Sequence, residues 1–295
     1  MRFSLRQVEV FLAVAHCENM TKAATQLAMS QSAASSALKE LESQYDVKLF
    51  DRIGKRLKLN AHGERVREQA IALMQSADEF SRSISQDQGL GDLHVGATLT
   101  IGNYLAVDMV AKFMRQHPQS HIDLTVSNTE HVVQQLLNYE IDIALVEGEL
   151  NHLDVAVTPW FDDRLCIICA PEHRLAQQAC ISDADLLSES WITRESGSGT
   201  RQGFERVMHG IMSDIKIMLE LEHTEAIKRA VRSNLGLACL SEIAVEDEVK
   251  EKKLVKLPVV GRDLNRGFYW LIHKKRQSSQ LLNYFIEEAV LPLNA

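Results

Sequence analysis

The sequence predicts a mixed α/β protein with three parts: an N-terminal winged helix-turn-helix, a coiled-coil linker helix and a two-lobed α/β body. Three observations lead to this fold class. The first sixty residues have the pattern of three short helices and a hairpin, a heptad pattern follows, and strand-like and helix-like segments then alternate to the end of the chain. A chain of 295 residues is long enough for more than one core, so we expect separate domains.

Composition excludes several classes of protein. With 45 % apolar and 24 % charged residues, the chain has the mix of an ordinary globular protein. No apolar stretch approaches the ~18 residues that span a bilayer, and the N-terminus shows no secretory signal, so we expect no membrane association and a cytoplasmic location. The five cysteines are scattered and odd in number, which predicts reduced thiols. We expect no metal site and no cofactor.

Charge is distributed unevenly along the chain. Residues 1–60 carry nine Lys/Arg and six Asp/Glu, a net charge of +3, whereas residues 61–295 carry 23 and 34, a net charge of −11. A small basic head on a large acidic body is typical of a chain with two functions, one of them the binding of a polyanion.

The head contains three predicted helices. The first, over residues 5–15, places its apolar side chains on one face; the second follows a capping Asn19 and is rich in alanine. The third runs from Gln31 towards Tyr45 after a capping Ser30. Three short helices with a tight turn before the third form a helix-turn-helix.

Polar residues on the second and third helices are able to bond base edges or phosphates. They are Thr21, Ser30, Gln31, Ser32, Ser35, Ser36 and Lys39. An ordinary solvated face is the alternative, but the following segment VKLFDRIGKRLKLN alternates around a turn and is basic, with Arg52, Lys55, Arg56 and Lys58. We therefore predict a wing that holds the phosphate backbone of double-stranded DNA.

The stretch LRQVEVFLAVAHCENMTKAATQLAMSQSAASSALKELESQYDVKLFDRIGKRLKLNAHG resembles the head of LysR-type transcriptional regulators over essentially its full length. Helix lengths, the turn, SQSAAS and the wing entry LFDR agree in order. The resemblance implies a regulator that binds promoter DNA, with RNA polymerase as a further candidate partner. Two departures stand out: Ser36 replaces a usual basic residue, and Tyr45-Asp46 replaces a Leu-Gly pair, which puts Asp where a positive φ is often required.

A heptad seam follows the head. Apolar residues recur at steps of four and three, without a proline in residues 62–86: Val66, Ala70, Leu73, Ala77, Phe80 and Ile84. A lone helix would expose this stripe, so we expect the same helix of a second subunit to cover it; packing against the chain's own body is the alternative. The resemblance implies antiparallel pairing, a dimer and also a tetramer. We assign residues 1–60 to the DNA-binding domain, 61–88 to the linker and 89–295 to the effector-binding domain.

The body alternates strand and helix, which predicts a parallel sheet flanked by helices. The predicted strands include DLHVGAT, HIDLTVSN, IDIALVEG, RLCIICAP, WITR, KIMLELEH, GLACLS and GFYWLIHKK. Two lobes joined by two crossing segments would explain the order, and the pattern resembles the periplasmic-binding-protein-like effector domain of LysR regulators. On that resemblance, lobe I covers about 92–160 plus 266–295 and lobe II about 161–265.

Effectors of such sheets bind at the carboxyl ends of strands. The predicted effector-binding residues at these ends are Thr98, Leu99, Thr100, Asn128, Thr129, Glu147, Glu195, Ser196, Gly197, Ser198, Thr200 and His223. The glycines near Ser198 expose backbone N–H groups at a helix start, which favours an anion, although ordinary capping would use the same residues. The strings TIGNYLA, NTEHV, RESGSGTR and EAIKRAVRSNLGLACLS resemble the branch of the family that answers to small sulfur or other inorganic anions, and this resemblance implies a small anion. Glu147 and Glu225 would instead favour a neutral or zwitterionic effector.

No catalytic constellation is visible. The sequence lacks HExxH, GxGxxG after a strand, a GK[ST] loop and a GxSxG elbow, and Ser198 has no evident base partner. We therefore expect no enzyme. The alternative function is a stand-alone small-solute binding or sensor protein without specific DNA contact, which the basic head argues against.

Overall fold

The computed structural model describes residues 2–54, 56–85, 91–148, 150–276 and 279–294. They divide into two compact units: a head that extends to Gly91, and a body that runs from Asp92 to Lys274 and again from residue 279. In these ranges, every helix is too short or too polar to cross a bilayer.

The head is a winged helix-turn-helix. Its elements are α1 (Leu5–Cys17), α2 (Met20–Gln26), α3 (Gln31–Gln44), β1 (Phe50–Ile53), β2 (Arg56–Leu59) and α4 (Ala61–Ser85). Each of the first three helices begins at a side-chain cap: Ser4 accepts the N–H of Gln7, Asn19 accepts two N–H groups, and Ser30 accepts the N–H of Ala33. β1 and β2 pair as an antiparallel hairpin, as the sequence predicts.

The head core continues into the linker helix. Phe11 and Phe50 meet edge to face at 5.6 Å, and the small buried alanines of α2 and α3 let these helices approach closely. In α4, Ala70 is buried in this core and Val66 and Leu73 pack against it. The first half of the heptad seam is therefore covered by the chain's own head, an element that neither the dimer interpretation nor the alternative of packing against the body names.

The second half of the seam is exposed. Phe80 and Ile84 each leave 66 % of their surface accessible. The glycine turn expected after the linker falls at residues 86–90, outside the described residues.

The body begins with a lobe of strands and helices in alternation. Its elements are β3 (Gly91–Thr98), α5 (Leu99–Ile101), a π-helical segment (Gly102–Ala106), α6 (Val107–Gln116), β4 (Ser120–Ser127), α7 (Thr129–Leu137) and β5 (Ile143–Glu147). The long strand β6 (Val155–Cys169) then leads into the second lobe.

The second lobe has the same alternation, and the chain then returns to the first. The elements are α8 (Asp183–Leu187), β7 (Ser190–Arg194), α9 (Gly199–Val207), β8 (Lys216–Leu221), α10 (Thr224–Arg232), β9 (Ala238–Ser241), α11 (Glu242–Lys250), β10 (Val255–Lys256), β11 (Asn265–His273) and α12 (Gln280–Phe285), which a π-helical segment (Ile286–Val290) extends.

One strand joins the two lobes. The strand order is β10-β6-β11-β5-β3-β4, and β9 also pairs with β6. β6 pairs with β11 up to Arg164 and with β9 from Leu165 onwards. Pairing is parallel for β3–β5 and β7–β8, as predicted, but antiparallel wherever β6 or β11 takes part. The predicted parallel sheet is therefore mixed, because the crossing strands run against their neighbours.

The strand predicted at RLCIICAP begins nine residues earlier, at Val155. In the sequence, Pro159 argues against a strand at this position, because proline has no N–H group to donate to a neighbouring strand. In the structure Pro159 is exposed, and it lies opposite Tyr269 where the register shifts. Further along β6, Cys166 and Cys169 pack into different core clusters, on opposite faces of the strand. All five cysteines are free thiols.

Asp46 has the left-handed geometry expected where α3 ends, with φ 52°. Replacing Asp46 with Gly should raise the free energy of unfolding of the head by about 0.5–1 kcal/mol, because glycine adopts positive φ without steric penalty. Asp46→Asn is the matched control and should change little, since Asn tolerates this region about as well as Asp. Denaturant unfolding of the full chain, followed through the head by hydrogen exchange, measures the effect; a less stable glycine variant would contradict it.

Candidate functional site

A polar groove lies between the helix-turn-helix and the wing. It has a volume of about 560 Å³, and five predicted DNA-binding residues line it: Thr21, Gln31, Ser35, Lys39 and Arg52. Ser30 caps α3 at 3.2 Å from the N–H of Ala33, and its hydroxyl lies 3.0 Å from that of Ser32. The groove therefore presents hydroxyl, amide and cationic groups together on one exposed surface.

The other predicted DNA-binding residues are also exposed. Ser32, Ser36, Arg56 and Lys58 lie on the surface of the head, whereas Lys55 is outside the described residues.

Glu42 anchors the base of the wing and was missed by the sequence prediction. Its buried carboxylate accepts the N–H of Leu49 at 2.9 Å and pairs with Lys48 at 2.7 Å. These bonds connect the last turns of α3 to the segment that enters β1. No motif in the sequence marks this role, because a Glu late in a helix is usually solvated.

In the body, the two lobes meet around a buried carboxyl group. Glu147 ends β5 and is 1 % exposed. Thr98 donates its hydroxyl to Oε2, and the hydroxyls of Thr100 and Thr200 each lie 3.3 Å from Oε1. Thr98 and Thr100 come from the first lobe and Thr200 from the second, so the structure brings together four of the predicted effector-binding residues.

Two buried arginines border this cluster. Arg266 donates from Nε to Asp163 at 2.6 Å and from Nη1 to Thr200 Oγ1 at 3.1 Å. Arg194 makes a bidentate pair with Glu195, at 2.7 and 2.8 Å. Within the described residues, Nη2 of Arg266 and Nη1 of Arg194 are buried and have no hydrogen-bond partner. The site thus holds two guanidinium N–H groups available to an acceptor.

Burial raises the pKa of Glu147. Loss of water disfavours its charged form, and the nearby Asp163 adds to this effect. The charges of Arg266 and Arg194 and the hydroxyl of Thr100 oppose the rise without cancelling it. A carboxyl group of this kind is able to take up a proton when a second negative charge arrives.

Hydrogen bonds between the lobes lie on both sides of the cluster. On one side, the N–H of Gly199 donates to Thr129 Oγ1 at 2.9 Å, and the N–H of Glu130 donates to Gly197 O at 3.1 Å. On the other, Tyr104 of the first lobe donates its hydroxyl to Glu225 of α10 at 2.7 Å. Lobe I and lobe II are thus held together at the edges of the site.

These contacts give several predicted residues a structural role. Ser198 caps α9 by accepting the N–H of Arg201, and Asn128 caps α7 by accepting the N–H of His131. A Cβ on Gly199 would collide with the backbone of Glu147, so glycine is required for this close approach. The backbone N–H expected to bind an anion at Gly199 is bonded to Thr129 instead.

The remaining predicted residues lie at different depths. Leu99 is buried, His223 is exposed at the start of α10, and Ser196 and Gly197 line a lateral cavity of about 450 Å³ with α7 and α9. Arg266 and Asp163 were not predicted. Arg194 is the last residue of β7 and follows the strand-end rule, whereas Arg266 and Asp163 lie within the crossing strands, where that rule does not apply.

Among the residues that the structure describes, no group of three or more His, Cys, Asp or Glu side chains is arranged to hold a metal ion.

The fold and the two sites define a class of protein: a DNA-binding winged helix-turn-helix joined to a two-lobed domain with a ligand site between its lobes. Comparison with known families agrees. Residues 5–64 match the bacterial regulatory helix-turn-helix protein, lysR family, and residues 86–290 match the LysR substrate binding domain. The chain belongs to the LysR family of transcriptional regulators. It is a DNA-binding regulator with a small-molecule effector domain, so the alternative of a sensor without DNA contact is not supported.

Individual relatives cover nearly the whole chain. It is 36 % identical over 287 residues to the uncharacterized HTH-type transcriptional regulator YeiE of Escherichia coli K12, with 97 % of each chain covered. The regulatory domain of CcmR from Synechocystis PCC6803, in complex with 2-PG, has a TM-score of 0.62 and 27 % identity, and covers 67 % of this chain and 94 % of that one. Full-length OxyR from Pseudomonas aeruginosa has a TM-score of 0.72 and 20 % identity over 97 % of this chain and 94 % of that one.

Replacing Asp163 with Asn should destabilise the body by about 3–5 kcal/mol, because it leaves the buried charge of Arg266 without its partner. Denaturant unfolding of the full chain measures this loss. The double variant Asp163→Leu with Arg266→Met removes both charges and should recover much of the stability. Glu246→Gln, which breaks the exposed Glu246–Lys250 pair, is the control and should have no measurable effect. Wild-type stability of the Asp163→Asn variant would contradict the prediction.

Proposed function

We propose that this regulator binds promoter DNA as a dimer through α3 and the wing, and that a small oxyanion held between the lobes sets its response. One observation carries the effector assignment. Three threonine hydroxyls bond one carboxyl group of raised pKa, and two buried arginines with unpaired nitrogens lie near enough for their charges to act on it; hydroxyl and guanidinium groups are donors that bind an oxyanion.

The DNA-binding role is divided between two kinds of contact. Gln31, Ser35 and Lys39 line the groove at the start of α3, where a recognition helix reaches base edges. Arg56 and Lys58 are exposed on β2 and supply sequence-independent contacts to phosphates. Gel retardation of the purified protein on the DNA upstream of its own gene tests this role directly. Failure to retard that DNA more strongly than random DNA at moderate salt would count against it.

Exposed apolar surface supports self-association. Phe80 and Ile84 are on the seam of α4, and Ile217, Met218 and Leu219 are exposed on β8, which pairs along one side with β7. Clusters of exposed apolar side chains are uncommon on proteins that stay monomeric. A second copy of the chain would cover them, so we infer a dimer through α4 and further contacts through the body.

The charge balance of the cleft favours an anion that enters with a proton. Arg266 and Arg194 are already paired with Asp163 and Glu195, so an ionised Glu147 would leave the cluster with an excess negative charge. Protonation of Glu147 removes that charge and converts the carboxyl group into a hydrogen-bond donor. The cluster would then present three kinds of hydrogen-bond donor to an oxyanion: hydroxyl, guanidinium and carboxylic acid groups.

We infer no catalytic activity and a cytoplasmic location. Support for the first is that Ser198, the one serine considered as a nucleophile, is buried and engaged as a helix cap. Support for the second is that promoter DNA is the partner of this family.

Ser35→Ala should reduce discrimination between the upstream DNA and random DNA, because it removes a hydroxyl from the groove. Arg56→Ala should weaken binding to the upstream DNA and to random DNA alike. It should also make the negative slope of log affinity against log salt less steep, by about 1 per head. Fluorescence anisotropy at several salt concentrations measures both quantities. If Arg56→Ala altered only the discrimination, the assignment of the wing to phosphate contacts would be wrong.

Sulfate affinity should fall as pH rises, because Glu147 must take up a proton when the anion binds. At a pH above the pKa of Glu147, the Kd should increase by up to about tenfold per pH unit. Sulfate keeps its double charge between about pH 6 and pH 8, so calorimetric titration over this range isolates the protein group. Glu147→Gln should bind with little pH dependence; a variant that kept the wild-type slope would contradict the assignment.

A further inference from the structure

Glu18 ends α1 in a conformation that is unfavourable for its residue type. Its φ is 48°, in the left-handed region, and its N–H closes the helix by donating to Val14 O. A glutamate in this region costs on the order of 1 kcal/mol relative to glycine.

Both oxygens of that carboxylate face the wing. Oε2 lies 3.5 Å from Arg56 Nη1, and Oε1 lies 3.9 Å from Lys58 Nζ. The carbonyl oxygen of Glu18 also accepts the N–H of Leu57 at 2.9 Å. Arg56 and Lys58 are two residues apart on β2, so their side chains leave the strand on the same face, where Glu18 lies between them.

The two basic side chains remain accessible to DNA. Arg56 is 72 % exposed and Lys58 is 49 % exposed, so the ion pairs with Glu18 do not bury them. Like a backbone phosphate, a carboxylate carries one negative charge shared by two acceptor oxygens, and both groups pair with basic side chains. A DNA phosphate that approaches β2 therefore meets cations that already have an anionic partner.

We propose that Glu18 is an intramolecular counter-ion that competes with DNA phosphates for Arg56 and Lys58. The competition lowers the affinity of the wing for any duplex, whatever its sequence. It thereby limits the time that the regulator spends on DNA that α3 does not recognise, since non-specific binding depends on backbone contacts alone.

Glu18→Gln removes the carboxylate charge and keeps the size of the side chain. It should tighten binding to a labelled duplex of random sequence by about three- to tenfold per head at low salt, the range expected when two exposed ion pairs are removed. The slope of log affinity against log salt should steepen by up to about 0.9 for each cation that is freed. Fluorescence anisotropy of the full chain at several salt concentrations measures both.

Two matched variants separate this role from simpler ones. Glu64→Gln removes the same charge from the same head, where Glu64 pairs with Arg67 on α4 at 3.9 Å, and it should change affinity much less. In a background of Arg56→Gln and Lys58→Gln, Glu18→Gln should have no further effect on affinity or slope. A general effect of net charge would persist in that background and would overturn the proposal, as would equal effects of Glu18→Gln and Glu64→Gln.

Glu18→Gly keeps the test decisive if the glutamine variant folds poorly. Glycine relieves the left-handed strain, so this variant should be at least as stable as the wild type and should show the same gain in affinity and slope. Unchanged binding of a folded Glu18→Gly protein to random DNA would also overturn the proposal.

Discussion

The carboxyl group of Glu147 is buried away from water, so the surrounding chain has to supply the hydrogen bonds that water would otherwise donate to it. Three threonine hydroxyls do so, one of them from the opposite lobe. Thr200 then accepts from Arg266, whose charge is balanced by Asp163, which in turn accepts the hydroxyl of Ser241. The hydrogen bonds of one buried acid therefore extend through both lobes and both crossing strands. A change in the protonation of Glu147 would therefore alter the hydrogen bonds that are linked to it in both lobes.

The head uses the same kinds of group for a different purpose. Its predicted DNA-contacting residues are exposed, several of its acids pair with surface cations, and Glu42, the one buried carboxylate among the described residues of the head, fixes the start of the wing to α3. Small side chains in α2 and α3 bring these helices close, and the first turns of α4 complete the core. The linker is therefore part of the DNA-binding head for about half its length, so a shift of α4 would be transmitted directly to the groove.

Much of this architecture could be predicted from the spacing of apolar residues and from the residues that mark the ends of helices and strands. Capping residues marked the helix starts, the Asp46 position required a positive φ, and the strand-end rule located Thr98, Thr100, Glu147 and Thr200. Arg266 and Asp163 could not be found in this way, because they lie inside antiparallel strands whose pairing joins residues about a hundred positions apart. Half of the α4 seam was misassigned for a similar reason: a heptad pattern shows that an apolar face is covered, but not which element covers it.

The continuous strand β6 has a consequence for how this protein tolerates changes in length. Beyond the irregularity at Pro159, its side chains alternate between two faces: Asp163 is turned towards Arg266, Asp162 and Arg164 are exposed, and Cys166 and Cys169 pack into different cores. Inserting or deleting a single residue would rotate every later side chain of the strand to the opposite face. A single-residue insertion or deletion in β6 should therefore disturb both cores, and a design that aims to alter the spacing of the lobes has to change β6 and β11 together, by whole pairs of residues.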